Sequence, residues 1–132
     1  MRRILLTTAA IGWAATALAQ GADMSLAGGQ AVYLPQSETM VRFAAVQDMR
    51  CPSAANCIWE GLIRVELELA VPGDPPETLV LCNMCEDATR SAAYGGYTLT
   101  LHGLEPGRAV LDPLSRLITL QDYTLILGVE WQ

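Results

Sequence analysis

A short loop between two cysteines, Cys51 and Cys57, constrains the fold of this chain more than any other feature. It lies in the run DMRCPSAANCIWEG, which covers residues 48–61. In an oxidising compartment, cysteines this close are expected to form a disulfide that closes a rigid loop. The sequence therefore predicts a bridged loop with a tryptophan buried against the bridge. Besides the two cysteines, the core of this motif consists of Arg50, Pro52, Trp59 and Gly61.

The start of the chain has the features of a secretory leader. Two arginines, Arg2 and Arg3, precede an apolar stretch over residues 4–17, and Ala17-Leu18-Ala19 has the small-x-small pattern that signal peptidases accept. The apolar stretch is too short for a membrane span. We therefore expect cleavage after Ala19, a leader over residues 1–19 and a periplasmic or secreted protein, exported by the general secretory or the twin-arginine route.

The remaining residues, 20–132, have the size of one compact domain. All eight basic residues of the chain are arginines, and two of them lie in the leader, so six remain against fourteen acidic residues. Nucleic acids and anionic membranes are bound by basic surfaces. The acidic balance therefore argues against nucleic acid as a partner, and no segment predicts insertion into a membrane.

Apolar residues alternate with polar ones along most of the chain, which predicts an all-β fold. The clearest strand covers residues 57–71. Its inward side chains are predicted to be Ile63, Val65, Leu67, Leu69 and Val71, and its outward ones Arg64, Glu66 and Glu68. Carried backwards, the same parity places Cys57, Trp59 and Gly61 on the core side, unless a bulge at Gly61 shifts the register.

Further strands follow at the spacing of a sandwich or barrel. A short edge strand is predicted over 31–34, and strands over 39–46 and 77–82 carry inward Val41, Phe43, Ala45, Leu79 and Leu81. Two more alternating segments carry inward Tyr97, Leu99 and Leu101, and Tyr123, Leu125, Leu127, Val129 and Trp131. Only residues 86–93 look helical. The expected fold is a single antiparallel β-sandwich of about seven strands, immunoglobulin-like or a small barrel, held together by disulfides.

The motif Asp-x-Arg-Cys-Pro, four residues, Cys-x-Trp-x-Gly, with the later Gly-Tyr-x-Leu-x-Leu and Asp-Tyr-x-Leu-x-Leu pair, resembles small exported bacterial proteins of unknown function. In those proteins a serine stands where this chain has Met49, and the second cysteine pair is not part of the pattern. The resemblance covers most of residues 20–132. It implies the same exported fold and no particular activity.

The second cysteine pair, Cys82-Asn83-Met84-Cys85, has three interpretations: a structural disulfide, a redox-active dithiol, or half of a zinc site. The long helix that follows a thioredoxin-type motif is not evident, and the Cys51–Cys57 spacing is wide for a zinc knuckle. Structural disulfides are therefore favoured. The four cysteines allow three pairings, of which we favour Cys51–Cys57 with Cys82–Cys85.

Asp48, Arg50 and Glu60 are the charged residues that frame the cysteine loop. Their expected role is an ion pair or backbone hydrogen bonds that hold the loop, with ligand recognition as the alternative. The single histidine, His102, is expected on the polar face of its strand. No nucleophile elbow, metalloprotease helix or phosphate-binding glycine loop occurs in the sequence.

Two functions are consistent with these features. The first is a non-enzymatic exported β-sandwich without cofactor or metal, which binds an envelope protein or a small ligand or serves the envelope structurally. The second is a thiol-redox or metal-binding protein that uses Cys82 and Cys85.

Overall fold

The computed structural model describes residues 21–132, so the predicted leader and its cleavage site lie outside the described residues. The chain forms two four-stranded antiparallel sheets that pack face to face as a β-sandwich. In spatial order, the back sheet contains Ala22–Ala27, Thr124–Trp131, Tyr97–Glu105 and Ser91–Tyr94, and the front sheet contains Ala31–Leu34, Thr39–Arg50, Gly61–Ala70 and Glu77–Cys82. The predicted all-β sandwich is therefore confirmed.

Eight strands build the two sheets, one more than the expected seven. They are β1 (Ala22–Ala27), β2 (Ala31–Leu34), β3 (Thr39–Arg50), β4 (Gly61–Ala70), β5 (Glu77–Cys82), β6 (Ser91–Tyr94), β7 (Tyr97–Glu105) and β8 (Thr124–Trp131). One short helix, α1 (Arg108–Leu111), and two single turns of 3-10 helix, Pro35–Ser37 and Leu120–Asp122, lie in the connections. Within residues 21–132, no helix is long and apolar enough to cross a membrane.

The core lies between the inner faces of the two sheets. The apolar side chains of the alternating segments fill it. From β4, the inward Val65, Leu67 and Leu69 are at most 2% exposed, as their alternation with charged residues predicts. Phe43 of β3 is fully buried. The other fully buried aliphatic side chains are Leu26, Leu34, Val41, Leu81, Leu99, Leu101, Leu125 and Leu127.

A register shift in β3 reverses the predicted orientation of one residue, Ala45. The pairing of β3 with β4 is irregular between Phe43 and Ala45, so one extra residue is inserted there. Val46 then packs against the core, while Ala45 lines the outer face of the sheet beside Arg64 and Glu66. The prediction that Ala45 points inward was wrong because a bulge reverses the parity of the residues after it.

The helix expected over residues 86–93 is also absent, and its second half is β6. Tyr94 pairs with Tyr97 across a two-residue turn. Both turn residues, Gly95 and Gly96, have positive φ angles of 57° and 82°. Two consecutive positive φ values are typical of a type I′ turn, whose twist matches that of a hairpin. The turn therefore dictates a strand, whereas the alanines of Ser91–Tyr94 give only a weak helical preference.

Candidate functional site at the disulfide end

Both disulfides lie at one end of the front sheet. Cys51–Cys57 closes the connection from β3 to β4, and Cys82–Cys85 closes the turn after β5. Because β5 runs antiparallel to β4, its last residue lies beside the start of β4, where Cys82 pairs with Arg64. We call this region, with residues 49–62, 82–87 and 104–112, the disulfide end. Disulfides persist in oxidising compartments, which both bridges fit.

The first charged pair of the motif, Asp48 and Arg50, is buried and points into the sandwich. The bulge between Phe43 and Ala45 turns the later even-numbered residues of β3 inward, so only 4% of the Asp48 side chain and 15% of the Arg50 side chain are exposed. Arg50 Nε donates to Asp48 Oδ1 at 2.8 Å, and Arg50 Nη2 donates to Asp48 Oδ2 at 3.0 Å. A bidentate, charge-assisted pair of this kind fixes both side chains.

Arg50 also joins the two sheets. Its Nη1 donates to the carbonyl of Leu104 at 2.9 Å, and its Nη2 donates to the carbonyl of Pro106 at 2.9 Å. Leu104 lies near the end of β7 in the back sheet, and Pro106 lies in the connection from β7 to β8. The expected ion pair therefore exists, and it holds the far sheet rather than only the cysteine loop.

Tyr123 and Arg108 complete the surroundings of Asp48. The Tyr123 hydroxyl donates to Asp48 Oδ2 at 3.0 Å, and Arg108 Nη1 lies 3.8 Å from the same oxygen. Burial alone would raise the pKa of Asp48, but the hydrogen bonds and charge of Arg50, with the Tyr123 hydroxyl, hold it below its ordinary value. Burial and the Asp48 carboxylate raise the pKa of Tyr123 to about 12.

The cysteine loop is tied to α1 by a second polar contact. Asp112 accepts from the Ser53 backbone N–H at 2.8 Å and from the Ser53 hydroxyl at 2.9 Å, and also from Arg108 Nε at 2.8 Å. Within the loop, the Ala55 N–H donates to the Pro52 carbonyl at 3.0 Å. Pro52 fixes the backbone at the start of this turn. Nothing in the sequence links Tyr123, Arg108 or Asp112 to the motif, because these residues meet it only in the fold.

The prediction that Trp59 is buried in the core was wrong. Its side chain is not buried against the bridge but 50% exposed, and Ile58 beside it is fully exposed. Cys57 is exposed as well, although Gly61 is buried. Gly61 has a φ of +91°, and a Cβ there would lie 2.5 Å from Arg50 Cα. The chain therefore bends at Gly61, β4 begins there, and the parity of β4 does not continue back to Trp59.

Glu60 frames the loop only through its backbone. Its carbonyl accepts from the Cys51 N–H at 3.4 Å. Among the described residues, its carboxylate has no hydrogen-bond or ion-pair partner. The three charged residues of the motif thus divide into a buried pair and one exposed carboxylate.

The turn between Cys82 and Cys85 is fixed to β4 by one asparagine. Asn83 Oδ1 accepts from the Ile63 N–H at 2.8 Å, and Asn83 Nδ2 donates to the Gly61 carbonyl at 3.0 Å. The Asn83 N–H donates to the Ile63 carbonyl at 3.3 Å. The side chain continues the β5 ladder past the end of the strand and places exposed Met84 at the disulfide end.

His102 lies away from this end, on the outer face of the back sheet. Its Nδ1 lies 2.9 Å from Asp23 Oδ1, and its ring covers Gly128, where a Cβ would approach Nε2 to 2.7 Å. Its side chain is 46% exposed, as expected for the polar face. Among residues 21–132, no three His, Cys, Asp or Glu side chains are grouped as a metal site.

The chemistry available at the disulfide end follows from these contacts. Asp48 and Arg50 are committed to each other and to backbone groups, and all four cysteine sulfurs are in disulfides, which leaves no thiolate for zinc. Besides the Glu60 carboxylate, five large apolar side chains of the disulfide end remain available to another molecule. They are Met49, Ile58, Trp59, Met84 and Val110, each at least half exposed.

No family model, curated protein or solved structure matches this chain. The resemblance to small exported bacterial proteins therefore stays a prediction.

Proposed function

We propose that this protein is an exported interaction module of the periplasm or the extracellular space, and that it binds a protein partner through the disulfide end. The observation that carries the proposal is the exposure of two adjacent apolar side chains. Ile58 is fully exposed, and Trp59 is 50% exposed. Tryptophan is one of the residues enriched at binding hot spots, and methionine adapts to varied apolar surfaces.

The disulfide end is ordered before any partner arrives. The Cys51–Cys57 bridge, the Ser53–Asp112 contacts and the Asn83 hydrogen bonds fix the segments that carry the apolar side chains. A surface that is already ordered loses little conformational entropy on association. The buried Asp48–Arg50 pair contributes to this order and is not free to act on a substrate.

A protein partner is favoured over a small ligand by the shape of the surface. One depression, on the outer face of the front sheet beside Arg64 and Glu66, holds about 130 Å³. Another, beside His102 and Gly128 on the back sheet, holds about 260 Å³. Pockets for small molecules usually hold about 300–1,000 Å³ and are largely enclosed by apolar side chains. The exposed apolar residues of the disulfide end line neither of these two depressions.

The charges around this surface define the partner further. Five of the six arginines within residues 21–132 are paired with carboxylates, and the fourteen acidic residues of the chain all lie in the same range. Glu60 and Glu86, which follow Trp59 and Met84 closely in sequence, have no ion-pair partner among the described residues. We therefore infer a partner surface with an apolar centre and a basic rim.

Capture of partners from envelope extract by three versions of the tagged protein tests this proposal. In Trp59→Ala, we expect capture of the partner to fall at least about tenfold, which corresponds to about 1.4 kcal/mol of binding free energy. Tyr33→Ala is the matched control: Tyr33 is 51% exposed but lies on β2, which pairs with the opposite end of β3. We expect it to bind like the wild type.

Added salt should weaken the same association, because it screens a basic rim from an acidic surface. A partner captured equally by the wild type and Trp59→Ala, or lost equally in Tyr33→Ala, would contradict the assignment of the binding surface. Quantitative mass spectrometry of the captured proteins gives both comparisons.

A further inference from the structure

We propose that Cys82–Cys85 is a redox-active disulfide that oxidises a dithiol of another molecule, with Cys85 as the sulfur that the incoming thiolate attacks. This inference does not depend on the interaction surface proposed above. It rests on the different surroundings of the two disulfides, on the different exposure of the two sulfurs of this bridge, and on the way the turn is held.

The Cys85 sulfur lies beside a fixed positive charge. Arg64 Nη1 is 3.6 Å from Cys85 Sγ, and two hydrogen bonds of 3.0 and 3.3 Å from the same nitrogen to Asp87 hold the guanidinium there. The Asp87 side chain is 69% exposed, so water screens its negative charge more than that of the Arg64 side chain, which is 26% exposed. A neighbouring arginine favours the thiolate form of a cysteine.

The other disulfide has the opposite environment. Cys51 Sγ lies 3.6 Å from the Pro52 carbonyl oxygen and 3.5 Å from the Ala55 carbonyl oxygen. These partial negative charges oppose a thiolate at Cys51. A disulfide whose reduced form is stabilised is the stronger oxidant, so Cys82–Cys85 is expected to be reduced more readily than Cys51–Cys57.

Only one of the two sulfurs in the turn is open to attack. Cys82 is 1% exposed, whereas Cys85 is partly exposed and follows the exposed Met84. The turn is also held without the bridge, by the three hydrogen bonds between Asn83 and β4 and by the Cys82 N–H, which donates to the Thr89 carbonyl at 2.9 Å. Reduction can therefore leave the fold intact, as a reversible exchange site requires.

The exchange takes two steps. A thiolate of the substrate dithiol attacks Cys85 Sγ, the Cys82–Cys85 bond breaks, and Cys82 Sγ leaves with the electron pair and takes up a proton. The second substrate thiolate then attacks the substrate sulfur of this mixed disulfide and releases Cys85 as a thiolate beside Arg64. Two electrons pass from the substrate, which gains a disulfide, to the protein, which holds two reduced cysteines.

Titration of the folded protein with glutathione redox buffers, followed by alkylation and peptide mass spectrometry, tests the first part of the inference. We expect Cys82–Cys85 to open at glutathione ratios that leave Cys51–Cys57 closed. In Arg64→Gln, the ratio needed should shift about tenfold towards reduced glutathione, as a thiolate pKa change of about one unit gives. Arg42→Gln is the control, since Arg42 forms an exposed ion pair with Glu68 on the same sheet.

Single-cysteine variants test the order of attack. With Cys82→Ser, we expect the folded protein to form a glutathione adduct at Cys85, and with Cys85→Ser we expect Cys82 to stay unmodified until the protein unfolds. Simultaneous opening of both disulfides with loss of near-ultraviolet circular dichroism, or a titration unchanged by Arg64→Gln, would overturn the inference. The wild-type titration gives this answer even where a cysteine variant does not fold.

Discussion

Asp48→Ala is expected to lower the free energy of unfolding by about 3–5 kcal/mol, as loss of one partner of a buried ion pair does. The substitution leaves Arg50, only 15% exposed, without its carboxylate, and it removes the acceptor of the Tyr123 hydroxyl. The end of β7 and the connection that follows it also lose support, because Arg50 is no longer held in place to donate to Leu104 and Pro106. Urea denaturation at neutral pH measures the change.

Glu68→Ala is the matched control for this prediction. Glu68 pairs with Arg42 at 2.7 Å on the outer face of the same sheet, but both side chains are more than a third exposed. Exposed pairs contribute about 0–1 kcal/mol. Equal losses in the two variants would show that the Asp48–Arg50 pair does not brace the sandwich.

Low pH should lower the free energy of unfolding of the wild type as Asp48→Ala does, because acid protonates the Asp48 carboxylate. The pKa of Asp48 is lower in the folded protein than the value of about 3.9 in an unfolded chain. The contribution of this carboxylate is therefore complete above about pH 5, and it is lost progressively as the pH falls through the folded-state pKa. The loss of stability below about pH 5 should be smaller in Asp48→Ala than in the wild type.

Phe43→Ala is expected to cost about 3–5 kcal/mol, the usual loss when a large core side chain is truncated and leaves a cavity. Phe43 is fully buried between the two sheets. Trp59→Ala removes a larger side chain, yet we expect about 1 kcal/mol or less, because half of Trp59 already faces water. Thermal and urea unfolding of both variants provide the comparison.

A comparison of the two losses in unfolding free energy shows whether Trp59 is packed in the fold or exposed to solvent. A loss of about 3 kcal/mol or more in Trp59→Ala would mean that Trp59 packs against the disulfide as the motif first suggests. A small loss with intact secondary structure would leave Trp59 available for the interaction that we propose.

The fold could be predicted wherever one face of a strand meets the core. The alternation in β4 and β7 and the bounds of β5 follow from the sequence, because a charge on the inner face would be too costly. The sequence does not predict β1, because only two of its six residues, Met24 and Leu26, pack inward and the alternation is too short to recognise. The sequence does not predict β6 either, because its two alanines have little strand preference and the type I′ turn at Gly95 and Gly96 is what makes it a strand.

The candidate site was predictable only in its local part. Asp48 and Arg50 are two residues apart and share a face of β3, so their ion pair follows from the sequence. Their contacts with Leu104, Pro106 and Tyr123 lie 54 to 75 residues away along the chain, and no pattern in the sequence indicates them. Trp59 was misplaced because the positive φ of Gly61 interrupts the alternation that the prediction extended.

Site-specific photo-crosslinking in cells that produce the protein tests most directly whether the disulfide end is the binding surface. The photoreactive residue replaces Ile58, which is fully exposed, or Tyr33 at the opposite end of the front sheet. We expect a covalent partner at position 58 that disappears in Trp59→Ala, and none of comparable yield at position 33. Equal yields at the two positions, or no partner at position 58, would contradict the account.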